Sequence, residues 1–357
     1  MKKYLLPFIS LLLIQVATAQ QTKLLTAEKH NEYGLVYSLP VTAFEIEVTA
    51  VKEIRKAGPF YNYAKKFAGN SKAIAEDSEK WIVENVKVRP YGIADDENQY
   101  LMQLKPGAIT NICVSEDGML LSINKEVKMP AVERTAIVAI EGNPTTGKEY
   151  LEYVNEDFLS AQSSYIQARL LAEELQEIRD AKLSLTRGTA ETMPTDGRQL
   201  ELMLESLDRQ EKALMQAFSG NSWKERATHT FTYVPKDDNK QVLFRLSDRN
   251  GFVGADDYSG NPVYAEVSLV QSPEIPVDAK GEEKKLPKDA VIYCIPGNAE
   301  LKITGMGKTF FSKAYPMSQF GMNFGLNPTI FTDKREPSFA VFDPTTGALL
   351  ELGSIKQ

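Results

Sequence analysis

The sequence predicts an α+β fold: two antiparallel β-rich domains with a long antiparallel helical hairpin between them. Three observations predict it. Strand-like text fills Gln20 to about Tyr150, a stretch without proline or glycine runs from about Asn155 to Arg187, and strand-like text returns after Trp223. At 357 residues the chain has room for two domains of roughly 150 residues each. The expected divisions are 1–19 for a leader, 20–152 for an N-terminal β-rich domain, 153–222 for the hairpin and 223–357 for a C-terminal β-rich domain.

The leader comes first. Lys2 and Lys3 form a positive n-region, Tyr4 to Val16 is mostly apolar, and Ala17-Thr18-Ala19 offers an A-x-A cleavage site before Gln20. The apolar run falls short of the ~20 residues a membrane-spanning helix needs, and Pro7 interrupts it. The expectation is an exported chain, periplasmic or peripheral to the outer membrane, with no transmembrane segment after processing. Such a compartment permits disulfides. Cys113 and Cys294 sit in hydrophobic strand text, however, where cysteine behaves as a small core residue, so two buried free thiols are expected.

In the N-terminal part, Leu35 to Leu39, Phe44 to Thr49, Val86 to Arg89 and Ile109 to Val114 cluster or alternate β-formers. Turn chemistry separates them at Asp95 to Asn98, Lys105-Pro106-Gly107 and Glu116-Asp117-Gly118. A short helix is expected after Pro59, with Phe60, Tyr63, Ala64 and Phe67 on one face and Gly69 as its stop. In the middle, Phe158, Ala161, Tyr165, Ala168, Ala172 and Leu175 recur at helical spacing. Asp196 and Gln199 form a capping-box pair before a second seam of Leu200, Leu204, Leu207, Leu214 and Phe218. Two heptad-like, coiled-coil-type helices follow from this spacing. Beyond Trp223, strands are expected at Thr230 to Val234, Gln241 to Leu246, Val263 to Val270, Ala290 to Ile295 and Phe339 to Phe342, with a solvated loop over Val277 to Lys288. Leu104 to Val114 resembles Leu286 to Ile295, and Pro-Thr-Thr-Gly occurs at Pro144 and again at Pro344, which hints at an internal duplication.

Composition narrows the chemistry. A net charge of −7 lacks the basic face that nucleic acid requires. Two cysteines and two histidines exclude a multi-cysteine zinc site. Gly305-Met306-Gly307-Lys308-Thr309 imitates the end of a phosphate-binding loop, but Lys302 stands where its first glycine belongs, so it reads as a turn between strands. His30 and His229 have no nucleophile elbow or metal motif beside them. Asp248-Arg249-Asn250-Gly251, Asp256-Asp257 and Asp95-Asp96-Glu97 gather oxygen ligands without calcium-loop spacing and read as solvated turns. Tyr61, Tyr63, Phe67 and Trp81 could form a sugar platform, yet aromatics at helical spacing belong more often to a core. No catalytic, cofactor-binding or metal-binding residue is assigned.

Several separated stretches carry a resemblance. They are Tyr37-Ser38-Leu39-Pro40, Gly58 to Ala64, Ile178-Arg179, Phe244 to Ser247, Gln319-Phe320-Gly321 and Phe342 to Gly347. In this order they resemble an uncharacterised family of exported proteins from Gram-negative gut bacteria, a domain of unknown function spanning nearly the whole processed chain. The resemblance implies no activity. The expected role is therefore a non-enzymatic structural or protein-interaction function in the envelope, with an envelope protein docking on the helical hairpin. The alternatives are a carbohydrate-binding module, if aromatics and carboxylates share a groove, and a carboxylate-based glycoside hydrolase, if two acids face each other across a cleft.

Overall fold

A computed structural model describes residues 34–103, 111–128, 139–141, 144, 146–236, 239–278, 280–287, 290–333 and 335–355. The leader, His30, the turn at 105–107 and most of the first duplicated text lie outside the described residues. In chain order the elements are β1 (Gly34–Lys56), α1 (Ala64–Phe67), β2 (Ser78–Gln103), β3 (Ile112–Val114), β4 (Leu120–Ile123) and β5 (Ala139–Glu141). Then come α2 (Glu156–Ser160), α3 (Ser164–Arg187), α4 (Gly197–Ser219), β6 (Asn221–Tyr233), β7 (Lys240–Ser247), β8 (Gly251–Val253) and β9 (Asn261–Gln271). The chain closes with β10 (Val291–Gly305), β11 (Lys308–Leu326), β12 (Ser338–Phe342) and β13 (Leu349–Ser354).

These strands form three antiparallel sheets, ordered β2-β1-β6-β5, β11-β10-β9-β7-β8 and β13-β12-β4-β3. The first two face each other. Strand alternation sends Phe44, Ile46 and Val48 of β1 inward, where they meet Val263, Ala265 and Val267 of β9 and Leu301 and Ile303 of β10. Phe231 of β6 stacks on Phe244 of β7 with ring centroids 4.6 Å apart. Each large side chain buried here contributes about 1.5–3 kcal/mol. A second core gathers Tyr37, Leu39, Met102, Ile123, Phe331 and Phe342 where all three sheets meet.

This arrangement corrects the expected fold class. The chain is mostly β, and it is not two β domains with a long helical hairpin between them. The physical reason is strand pairing across the helical segment: β1 pairs with β6 from Phe44↔Tyr233 to Lys56↔Asn221, and β4 pairs with β12 through Ile123↔Ala340. Residues from both sides of the helices therefore share two of the three sheets. The helical text was also over-read as a coiled coil. Ser163 caps Ile166 and splits α2 from α3. The apolar seams of α3 and α4 are shared with Phe60, Ala64 and Phe158, so they form a satellite core against the β1–β2 connection.

Long strands replace the expected short ones because register shifts let β1 and β2 change cores without ending. Pro40, which cannot donate to a ladder, sits at the shift between Ser38 and Pro40. Asp95 to Asn98, expected as a turn between strands, is instead an excursion within β2, since Ala94 pairs with Pro40 and Gln99 with Ser38. Beside it, β10 and β11 shift register between Ile295 and Gly297.

Candidate functional site

Among the described residues, two concavities lie on the sheets, apart from a third of about 270 Å³ beside α4. The larger, a cleft of about 700 Å³, lies on the outward face of the first sheet and reaches the edge of β11. The alternation that buries Phe44, Ile46 and Val48 turns Glu45, Glu47 and Thr49 the other way. Directly opposite on β2 stand Arg89, Lys87 and Asn85. Lys87 Nζ lies 3.5 Å from Glu47 Oε1, and Arg89 Nη1 lies 3.5 Å from Glu45 Oε1. A register shift after Thr49 leaves Glu84 facing Arg226 of β6, which holds it with two hydrogen bonds of 2.6 and 2.8 Å. That guanidinium keeps the Glu84 carboxyl below its ordinary range.

Exposure is uneven along this ladder. The acids on the floor are recessed, with Glu45 14% and Glu47 24% exposed, whereas Arg89 is 45% and Lys87 70% exposed. Lys313 of β11 also lines the cleft, exposed, with its ammonium 5.0 Å from the centre of the Tyr315 ring. Tyr315 itself is buried against Phe44.

The smaller concavity, about 220 Å³, occupies the junction where the register shifts coincide, and Asp95, Asn98, Cys294, Ser318, Gln319 and Asn323 line it. Its walls are tied down. Thr42, wholly buried, accepts from the Ser318 backbone at 3.1 Å and donates from its backbone to the Ser318 hydroxyl at 3.0 Å. Gln319 donates to the carbonyls of Thr42 and Pro235 at 2.6 and 3.0 Å. Tyr37 donates to the Ile292 carbonyl at 2.9 Å and accepts from the Ile292 amide at 2.7 Å. Cys294 donates its amide to the Gly347 carbonyl. Burial pushes its thiol up to about 12, so at neutral pH it is a protonated core group and no nucleophile.

The stretches that carry the family resemblance now have places. Tyr37 to Pro40, Gln319 to Gly321 and Phe342 to Gly347 converge on this junction. Gly58 to Ala64 seats the helices, with Phe60 donating its amide to the Ala217 carbonyl. Arg179 binds Glu211 between α3 and α4 at 2.8 Å, and Arg245 ties the loop carbonyls of Ala255 and Gly260. These residues hold joints of the fold.

The other candidates scatter. Gly305 to Lys308 is the β10–β11 hairpin turn, with Met306 and Gly307 both at positive φ. His229 is exposed on β6, its ring against Phe252 and Phe231. Asp248 to Gly251 makes the β7–β8 turn, and among the described residues no group of acids, histidines and cysteines could hold a metal ion. Tyr63 and Phe67 pack with Tyr165 beside α3, whereas Trp81 lies against Gly251 in the main core, so no common platform forms. Both cysteines are free, Cys294 buried and Cys113 half-buried on an edge strand. Sequence reasoning missed the cleft, although the alternating Phe44-Glu45-Ile46-Glu47-Val48-Thr49 text carried its signal.

The family model described as a domain of unknown function, DUF4831, matches residues 33–350. No curated protein and no solved structure matches the chain. Among the described residues no helix is long and apolar enough to cross a membrane.

Proposed function

As the chain belongs to the DUF4831 family, we propose that it is an exported protein of the bacterial envelope that binds a partner rather than transforms one, with the charged cleft as its recognition surface. The leader-like residues 1–19 support the location. One observation carries the rest: the cleft's three carboxylates are each matched to a base on another strand of the same sheet. A glycosidase acid must hold its proton near neutrality, which needs a raised pKa. Glu84 is displaced in the opposite direction. Fixed charges of both signs on a rigid sheet suit orientation-specific recognition instead. The helices are not needed for this reading.

Substituting Asn85→Trp tests it, because Asn85 is exposed on β2 and tryptophan is a good strand former that would fill the cleft. The wild-type processed chain is expected to sediment with isolated envelope fragments. The variant, folded by circular dichroism, should remain mostly in the supernatant. Equal sedimentation of the two proteins would remove the cleft from the recognition surface.

A further inference from the structure

We infer that the ligand of this cleft is an acidic oligosaccharide, a sugar chain bearing carboxylates or phosphates; this rests on the cleft being the recognition surface. The first argument is local charge. The chain as a whole carries −7, yet among the described residues four bases (Lys87, Arg89, Arg226 and Lys313) meet three acids (Glu45, Glu47 and Glu84) around the cleft. These lining residues carry a local excess of positive charge on an acidic protein, which focuses anions towards them.

The second argument is depth. Glu45 and Glu47 are recessed and their basic partners stand proud, so an incoming molecule meets the cations first. The pairs differ in geometry as well. Arg226 is committed to Glu84 by two short bonds, whereas Lys87 keeps Glu47 only at 3.5 Å and its flexible ammonium can swing to a ligand anion. Lys313 makes no ion pair among the described residues and rests above the Tyr315 ring. These two lysines, on β2 and β11, line the same cleft and are placed to grip anionic groups.

The third argument is the floor. Hydroxyls and an amide line it: Thr49 and Thr228, 3.0 Å apart, and the exposed Asn85. With the recessed carboxylates they offer acceptors and donors for sugar hydroxyls. A lipid surface is disfavoured, because a concave cleft between a sheet face and a neighbouring edge cannot lie flat on a bilayer.

Polygalacturonate, dextran and vesicles of phosphatidylcholine with phosphatidylglycerol separate the possibilities. In affinity electrophoresis the wild-type processed chain should be retarded by polygalacturonate and not by dextran. The double variant Lys87→Ala/Lys313→Ala should lose about tenfold or more in affinity, since two charge-assisted contacts go. Retardation should also weaken as salt rises from about 50 to about 300 mM. Equal retardation by dextran would overturn the acidic requirement, and vesicle binding without glycan binding would replace the sugar with a membrane. Polygalacturonate binding that the double variant retains would place the glycan elsewhere. No glycan binding, with envelope sedimentation still abolished by Asn85→Trp, would overturn this inference and leave the recognition surface standing.

Discussion

Gly92→Ala is expected to destabilise the protein by about 3 kcal/mol or more, because the added methyl has nowhere to go. Gly92 lies on β2 opposite Thr42, and a Cβ there would overlap the Pro344 carbonyl oxygen and touch the Pro40 ring. The loop carrying Pro344 cannot retreat. Asp343 accepts from the Thr345 amide at 2.8 Å and from the Thr346 hydroxyl at 3.1 Å, and Thr42 donates to the Thr345 carbonyl at 3.1 Å. Accommodating the methyl would break these bonds or lift β2 from the junction. Urea unfolding measures the effect. Gly197→Ala, where an added Cβ meets nothing within 4 Å in the first turn of α4, serves as the control and should be neutral or stabilising. A Gly92→Ala loss under about 1 kcal/mol would mean that the loop is not clamped there.

Tyr37→Phe should cost about 2–4 kcal/mol while leaving the core volume intact. The Tyr37 hydroxyl takes the place of a neighbouring strand for Ile292, donating to its carbonyl and accepting from its amide. Both residues are buried, so removing the oxygen strands two backbone groups away from water. Burial also raises the phenol's pKa, so it stays protonated through the physiological range and can serve both bonds. The loss should appear in urea midpoints at unchanged slope, and a variant as stable as wild type would show that water replaces the hydroxyl.

These two positions show what the sequence could and could not convey. Tyr37, Pro40, Gln319 and the 342–347 stretch were legible as distinctive text, but their meeting place depends on contacts some 250–300 residues apart, such as Tyr37 with Ile292 at a separation of 255. Local periodicity does not encode that. Alternation along Phe44 to Thr49 correctly indicated a strand with two faces, and helical spacing marked Phe158, Ala168 and Leu175, all of them buried. What failed was the step from elements to domains. A helical segment between two strand-rich regions reads as a divider, yet β1 pairs with β6 across it. The cleft was hidden for a related reason. Glu45, Lys87, Arg226 and Lys313 come from four strands, and only the register and the approach of β11 to β2 assemble them.

The cleft as recognition surface is tested most directly by amide hydrogen exchange of the processed chain with and without envelope fragments. β2 and β11 are edge strands, so their outward amides exchange readily and report any occupant. Slowed exchange over residues 84–90 and 311–315, with α3 and α4 unchanged, is the expected result. Slowed exchange confined to α3 and α4, with β2 and β11 unaffected, would contradict the account.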